Sequence, residues 1–376
     1  MKAIQMVDLY HQYLNIKDEV DAAMNNVINS CSFINGMDTK LFANELQEYL
    51  GVNHAIPCGN GTDALQIALM ALDLEAGDEI ITTPFTFIAT AEVIELLKLK
   101  PVFVDVCPNT YLMDLNEVES KITNRTKVII PVHLFGQAVN MEELKSLASK
   151  HNLYVVEDGA QAIGAKVKIG DQTKSACAIG DIGCTSFFPS KNLGCFGDGG
   201  AIFTNSNALA EKIRMIINHG SKVKYYHEVV GVNSRLDTIQ AAILRVKLRK
   251  LDEYINNRQK AARIYDNNLA KIESIQVPAR VNWSEHVFHQ YTMVVKGHRD
   301  ELRAYLADSD IPSMIYYPIP LHLQQAYAYL NHKEGDFPIS ESLSKNVLSL
   351  PMHTELEMDQ LQFICRSIEH FFNGNY

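Results

Sequence analysis

The sequence predicts an α/β protein: a large domain built on a mostly parallel, mixed sheet flanked by helices, followed by a smaller α+β C-terminal domain. Three observations carry this. Apolar strand-like runs alternate with helical patterns from His54 to Glu157, the rhythm of strands joined by crossover helices. At 376 residues the chain is longer than one hydrophobic core organises well. Beyond about residue 250 the alternation gives way to a shorter mixture of elements, which sets the domains at 1–250 and 251–376.

Taken in order, residues 17–29 and 38–50 carry apolar side chains at helical spacing (Val20, Met24, Val27, Ile28; Leu41, Phe42, Leu46, Leu50), and Gly51 closes the second helix. His54–Cys58 reads as a short strand. Gly59-Asn-Gly-Thr-Asp then opens an apolar helix running to Leu72. Strands are predicted at 78–84, 101–106, 127–135 and 153–157, and helices at 86–97, 115–122 and 141–151. Thr185 to Ser190 reads as a buried strand, residues 208–218 as a helix, and 221–233 as a polar, irregular stretch. One long helix is predicted from about Asp237 into the 260s, then a strand at 289–295 and helices at 300–308 and 359–372. There is no internal repeat or low-complexity tract.

Composition narrows the function. With 47% hydrophobic and 21% charged residues the chain reads as a globular enzyme. A formal net charge of −10 argues against a nucleic-acid surface, and the one basic cluster, Arg245, Lys247, Arg249 and Lys250, reads as a solvated helix face. The seven cysteines are scattered, with no C-x-x-C pair, so reduced thiols and no metal site are expected. Residues 1–15 lack the apolar centre of a signal peptide, and no apolar run has membrane-span length; a cytoplasmic protein follows.

Three features could carry chemistry. The helix opening at residues 59–63 offers free amides and a hydroxyl to a phosphate, although ordinary capping by Asn60 or Thr62 reads equally well. Its G-x-G-x-x-A pattern also keeps a nicotinamide-dependent oxidoreductase open, with Asp78 or Glu79 as the acidic partner. Asp158 ends a predicted strand, where ligands of open α/β sheets collect, or else caps the next turn. Lys191 lies between Phe187-Phe188-Pro189-Ser190 and the glycines at 194, 197, 199 and 200. That setting favours a desolvated amine, and desolvation lowers a lysine pKa so that it can attack a carbonyl. A phosphate, a ring nitrogen that wants an anion and an aldehyde that wants an amine together describe pyridoxal 5′-phosphate.

Over essentially its whole length the chain resembles the sugar-nucleotide aminotransferases of the DegT/DnrJ/EryC1/StrS group, within fold type I of the pyridoxal-phosphate enzymes. The carriers are Gly59-Asn-Gly-Thr-Asp-Ala-Leu, Thr83-Pro-Phe-Thr-Phe-Ile-Ala-Thr, Glu157-Asp-Gly-Ala-Gln, Ser186-Phe-Phe-Pro-Ser-Lys-Asn-Leu-Gly, Gly197-Asp-Gly-Gly, Gly231-Val-Asn-Ser-Arg and Tyr317-Pro-Ile-Pro-Leu-His. The resemblance implies that Lys191 binds the cofactor covalently and moves the proton, and that Asp158 pairs with the ring nitrogen. Phe87 would lie on one ring face, Gln161 against the ring hydroxyl, and Gly61, Thr62, the Asp63 amide and Ser186 around the phosphate. Asn233 would reach the phosphate of a second subunit, making a homodimer with shared sites, and Arg235, Tyr316, Tyr317 and His322 would meet substrate. L-Glutamate is the amino donor the family implies.

Ser-Phe-Phe-Pro-Ser-Lys-Asn-Leu-Gly with Gly-Asp-Gly-Gly most resembles relatives that aminate C-3 of a keto sugar, nearest those acting on a UDP-2-acetamido-3-keto-hexuronic acid for surface polysaccharide. Those relatives carry histidine before Tyr-Pro, where this chain has Tyr316. A phenol donates a hydrogen bond but offers a carboxylate no positive charge. A dTDP-linked 3-keto-6-deoxyhexose or a 4-keto sugar nucleotide is therefore the alternative substrate, and a non-catalytic sugar-nucleotide sensor the alternative role.

Overall fold

A computed structural model describes residues 2–374. Three helices open the chain: α1 (Leu9–Asn15), α2 (Lys17–Ser30) and α3 (Met37–Leu50). The sheet begins with β1 (His54–Cys58) and continues through α4 (Gly61–Met70), β2 (Glu79–Thr82), α5 (Ala89–Leu96), β3 (Lys100–Phe103), α6 (Leu115–Lys121), β4 (Thr126–Ile129), α7 (Met141–Lys150) and β5 (Tyr154–Asp158). A small hairpin follows, β6 (Lys166–Ile169) and β7 (Gln172–Ser175), then β8 (Ile182–Ser186), β9 (Gly200–Thr204) and α8 (Asn207–Ile216). Side-chain caps start several of these helices: Asn60 for α4, Asp114 for α6, Asn140 for α7 and Ser206 for α8.

The seven strands run in the order β1-β9-β8-β5-β4-β2-β3. Strands β8, β5, β4, β2 and β3 pair in parallel, whereas β9 is antiparallel to both of its neighbours. Successive residues feed opposite faces: Ile81 and Val155 pack into one core, Ile80 and Val156 into the other. Burial on both faces is what a helix-covered parallel sheet requires. The predicted α/β architecture is therefore present. Because β1 is an edge strand, antiparallel to β9, the glycines at 59 and 61 do not follow a central parallel strand, as the oxidoreductase reading requires.

The remaining elements are the hairpin β10 (Ser221–Val223) and β11 (Tyr226–His227), α9 (Thr238–Leu248), α10 (Leu251–Leu269), β12 (Ile275–Gln276), β13 (Tyr291–Val295), α11 (Arg299–Asp308), α12 (Pro338–Asn346), β14 (Val347–Leu350) and α13 (Met358–Asn373). Strands β12, β13 and β14 form a second, antiparallel sheet. A separate core lies against it, drawing on Ala262, Tyr265, Tyr291, Leu306 and Ile364. The buried carboxylate of Asp105, just beyond β3, accepts from the amides of Ile339 and Ser340, both at 2.9 Å, and so ties the start of α12 to the large sheet.

Some boundaries differ from expectation. The long helix is two, parted at Arg249–Lys250; Leu248 and Leu251 face one core, so the apolar period runs on across the break. The strand expected at 185–190 ends at Ser186, because Phe187 accepts from the Cys195 amide and turns the chain. The strand expected to reach Phe135 stops at Ile129, ahead of Pro131. The basic cluster is not a solvated face throughout: Arg245 pairs with Asp38 and Glu45 of α3, and Lys247 is 2% exposed. Among the described residues no helix is long and apolar enough to cross a membrane.

Candidate active site

Lys191 sits in the loop joining β8 to β9, and Asp158 ends β5, the strand beside β8. Register places Asp158 opposite Cys184, two residues before β8 ends. Burial lowers the Lys191 pKa to about 8, and the Asp158 carboxylate opposes that shift. A minority of the amine, roughly a fifth at pH 7.4, is thus neutral, far more than an ordinary lysine offers as a nucleophile.

Asp158 is held from both sides. One carboxylate oxygen accepts from the Thr90 hydroxyl at 2.8 Å, and the other from the Ala160 amide at 3.2 Å. Behind it, Glu157 and His133 form a fully buried pair at 2.8 Å. The Val139 amide donates to His133 Nδ1, which leaves the proton on Nε2, facing Glu157. Glu157 also accepts from the amides of Cys177, Ile179 and Gly180. Burial pushes its carboxyl upward, but these hydrogen bonds outweigh it and the pKa is lowered.

The start of α4 meets the end of β8. A Cβ on Gly61 would lie 2.7 Å from Ser186 Cβ, so only glycine lets the two approach. A Cβ on Gly200 would lie 2.4 Å from the Asn60 carbonyl, which fixes β9 against the same turn. Gly61, Thr62 and the Ser186 hydroxyl therefore border one corner. The Asp63 amide is a correction: it donates to the Asn60 side chain at 2.8 Å and already serves as the helix cap. The Asp63 carboxylate instead accepts from Ser234 Oγ at 2.6 Å, and Ser234 Oγ accepts from the Gly59 amide at 2.9 Å. The segment carrying Asn233 and Arg235 is thereby docked on the turn; Asn233 itself is exposed.

Gln161 accepts from the Phe135 amide at 2.6 Å and donates to Tyr317 Oη at 3.0 Å, which links the strand ends to the segment at 316–317. Phe87 is 55% exposed with its ring 6.3 Å from that of Tyr317, which removes core packing as its role. Tyr316, half-buried, lies edge-on to Tyr317 across a cis peptide. His322 does not join them. Its side chain has no accessible surface and lies 3.0 Å from Glu341, which also accepts from the amides of Gly335 and Phe337. It braces that loop and cannot touch substrate.

Several residues escaped the sequence reading. Thr90, His133 and Ser234 act through partners distant in the chain; Thr90 and Ser234 lie inside the motifs but have no role in the sequence reading, and His133 lies outside them. His289 is buried with Nδ1 unpartnered; burial, Lys191 and Arg258 all disfavour its charged form. Asn192, beside the lysine, donates to the Val287 carbonyl at 3.0 Å.

Comparison with known proteins agrees with this fold. One relative, a pleiotropic regulatory protein of Geobacillus stearothermophilus, is 46% identical over 98% of both chains. A UDP-2-acetamido-2-deoxy-3-oxo-D-glucuronate aminotransferase of Pseudomonas aeruginosa is 43% identical over 97% of this chain and 99% of that one. The crystal structure of Streptomyces venezuelae DesV in complex with a ketimine intermediate superposes with a TM-score of 0.96 at 37% identity, covering all of both chains. Residues 14–369 match the sequence pattern of one family of enzymes, and the chain belongs to it: the DegT/DnrJ/EryC1/StrS aminotransferase family.

Proposed function

We propose that the chain is a pyridoxal 5′-phosphate-dependent aminotransferase that moves the amino group of L-glutamate to C-3 of a keto sugar nucleotide. The proposed acceptor is UDP-2-acetamido-3-keto-glucuronic acid, for surface polysaccharide synthesis. The observation that carries this reading is a lysine with its pKa lowered to about 8, next to a carboxylate that ends the adjoining strand.

The residues present fit the cofactor. The corner between Gly61 and Ser186 is bordered by the first-turn amides of α4 and by two hydroxyls, those of Thr62 and Ser186, and suits a phosphate dianion. When bound, pyridoxal 5′-phosphate supplies a carbonyl for Lys191 and a ring that takes up electrons. Asp158 is oriented by Thr90 to meet the ring nitrogen. Gln161 has an N–H beyond the one given to Tyr317 and can reach the ring hydroxyl. Phe87 covers one face. Lys191 Nζ takes a proton from the donor carbon and returns it to the acceptor, and its lowered pKa lets it work in both directions.

Asn233 would complete the phosphate site of a second copy, and Arg235 and Tyr316 would contact the sugar nucleotide. The exposed apolar groups Phe33, Ile34 and Met37, with Val223, Tyr225, Tyr226 and Val230 on and after the β10–β11 hairpin, support a homodimer. Tyr316 favours one second reading, a dTDP-linked 3-keto-6-deoxyhexose, because a phenol offers a uronate no positive charge.

The test is incubation with L-glutamate and a panel of UDP- and dTDP-linked 3-keto and 4-keto sugars, read by mass spectrometry. Amination of the 3-keto UDP-uronate is expected. Product from 4-keto sugars alone would overturn the C-3 assignment, and a protein that takes up no pyridoxal 5′-phosphate would overturn the reaction class.

A further inference from the structure

Helix α9 presents two polar side chains, Gln240 and Lys247, to the loop that carries Lys191. They are seven residues apart, hence on one face of the helix. Gln240 grips the backbone of Phe196 twice: Oε1 accepts its N–H at 2.8 Å and Nε2 donates to its carbonyl at 3.3 Å. Two turns on, Lys247 Nζ donates to the Gly194 carbonyl at 2.7 Å and lies 5.2 Å from the centre of the Phe196 ring. Lys247 is 2% exposed, and among the described residues no carboxylate lies within ion-pair distance of it.

A buried ammonium with a carbonyl and a ring for company is a costly way to fill space that a leucine would fill without desolvation. Cost of that kind points to a role beyond packing. The loop it grips has much to gain. With glycines at 194, 197 and 199 it has little intrinsic rigidity, and Lys191 stands three residues from the gripped carbonyl. Gly194 also lies against Pro189: a Cβ there would come within 2.3 Å of the Pro189 carbonyl, so the strands of the loop on either side of Lys191 are in contact.

We propose that Lys247, seconded by Gln240, is a positioning residue for Lys191: it clamps the loop from 187 to 199 and so fixes where the Lys191 amine sits and how little water reaches it. The proposal rests on reading Lys191 as the lysine that binds the cofactor. In this role Lys247 acts through the Gly194 carbonyl and the Phe196 ring rather than by contact with substrate or cofactor.

The experiment treats full-length protein with pyridoxal 5′-phosphate across a pH series, traps the covalent adduct with borohydride and maps it to Lys191 by mass spectrometry. Hydrogen–deuterium exchange of the peptide spanning 187–199 is measured on the same samples. Wild type should label with a midpoint near the Lys191 pKa of about 8. In Lys247→Met, which keeps the aliphatic body and loses the donor, the midpoint should rise by about one unit, trapping at pH 7 should slow about tenfold, and loop exchange should rise about tenfold. Lys247→Arg keeps a donor and should retain most of the wild-type midpoint. Gln240→Ala changes no charge, so a shift there in the same direction reports position rather than electrostatics; it also serves if Lys247→Met fails to fold. Unchanged midpoint and exchange in Lys247→Met, or in Gln240→Ala when that variant stands in, overturn the proposal. If wild type is not labelled at Lys191, the reading of the site fails, and the clamp is then decided by loop exchange alone.

Discussion

The candidate site has two halves that are built differently. At the ends of β5 and β8 the polar groups are tied in place: Asp158 by Thr90 and Ala160, Glu157 by His133 and three amides, Gly61 against Ser186. Elsewhere, Asn233 and Phe87 are exposed, Tyr316 is half-buried, and the β10–β11 hairpin carries bare Tyr225 and Tyr226. The first half is preorganised for one piece of chemistry. The second is more exposed and less constrained, and it is the part proposed to sort substrates and to be completed by a second copy of the chain.

The comparison can be broken at four points. Replacing Lys191 with alanine removes the only group proposed to move the proton; turnover with glutamate and the keto sugar should fall by at least about a thousandfold, with thermal unfolding little changed. Retained turnover would sink the mechanism. Asp158→Asn keeps shape and loses charge, and should lower kcat about a hundredfold in steady-state assays, with a smaller effect on KM. Gly61→Ala sets a methyl against Ser186; cofactor affinity measured by fluorescence titration should weaken about tenfold, roughly 1.4 kcal/mol. In the more exposed half, Tyr316→His should leave the reaction rate nearly intact. It should shift the preference between carboxylate-bearing and 6-deoxy sugars by up to about tenfold, as the ratio of kcat/KM values will show. A large loss of kcat there would erase the distinction between the halves.

What the sequence disclosed follows the same division. Strands β1 to β5 are legible because alternate residues go to two buried faces, and the crossover helices between them carry a clean apolar stripe. Lys191 and Asp158 stand out in the sequence because each sits beside an apolar run, whereas Ser186 is marked only by the family motif that holds it. The break at Arg249–Lys250 left no mark, since no glycine or proline signals it and the apolar spacing continues. The hairpin of β6 and β7 is mostly exposed and polar on β7, so no alternation announces it. His322 was misread because it shares a motif with Tyr317: adjacency in sequence suggested adjacency in space, and Glu341 had already claimed the ring. Thr90 and His133 show the opposite failure. Their partners, 68 and 24 residues away in sequence, exist only once the sheet is formed.

Strand β9 is the one reversal in the large sheet, and it lies between β1 and β8. Its first residue, Gly200, rests on Asn60 on one side and pairs with Ser186 on the other. A slip of one residue in β9 would exchange the two faces of the strand and part both neighbours at once. During synthesis, the direct contact of Gly61 with Ser186 can form as soon as β8 is made, but the strand that holds both in register is complete only when the chain has reached Thr204.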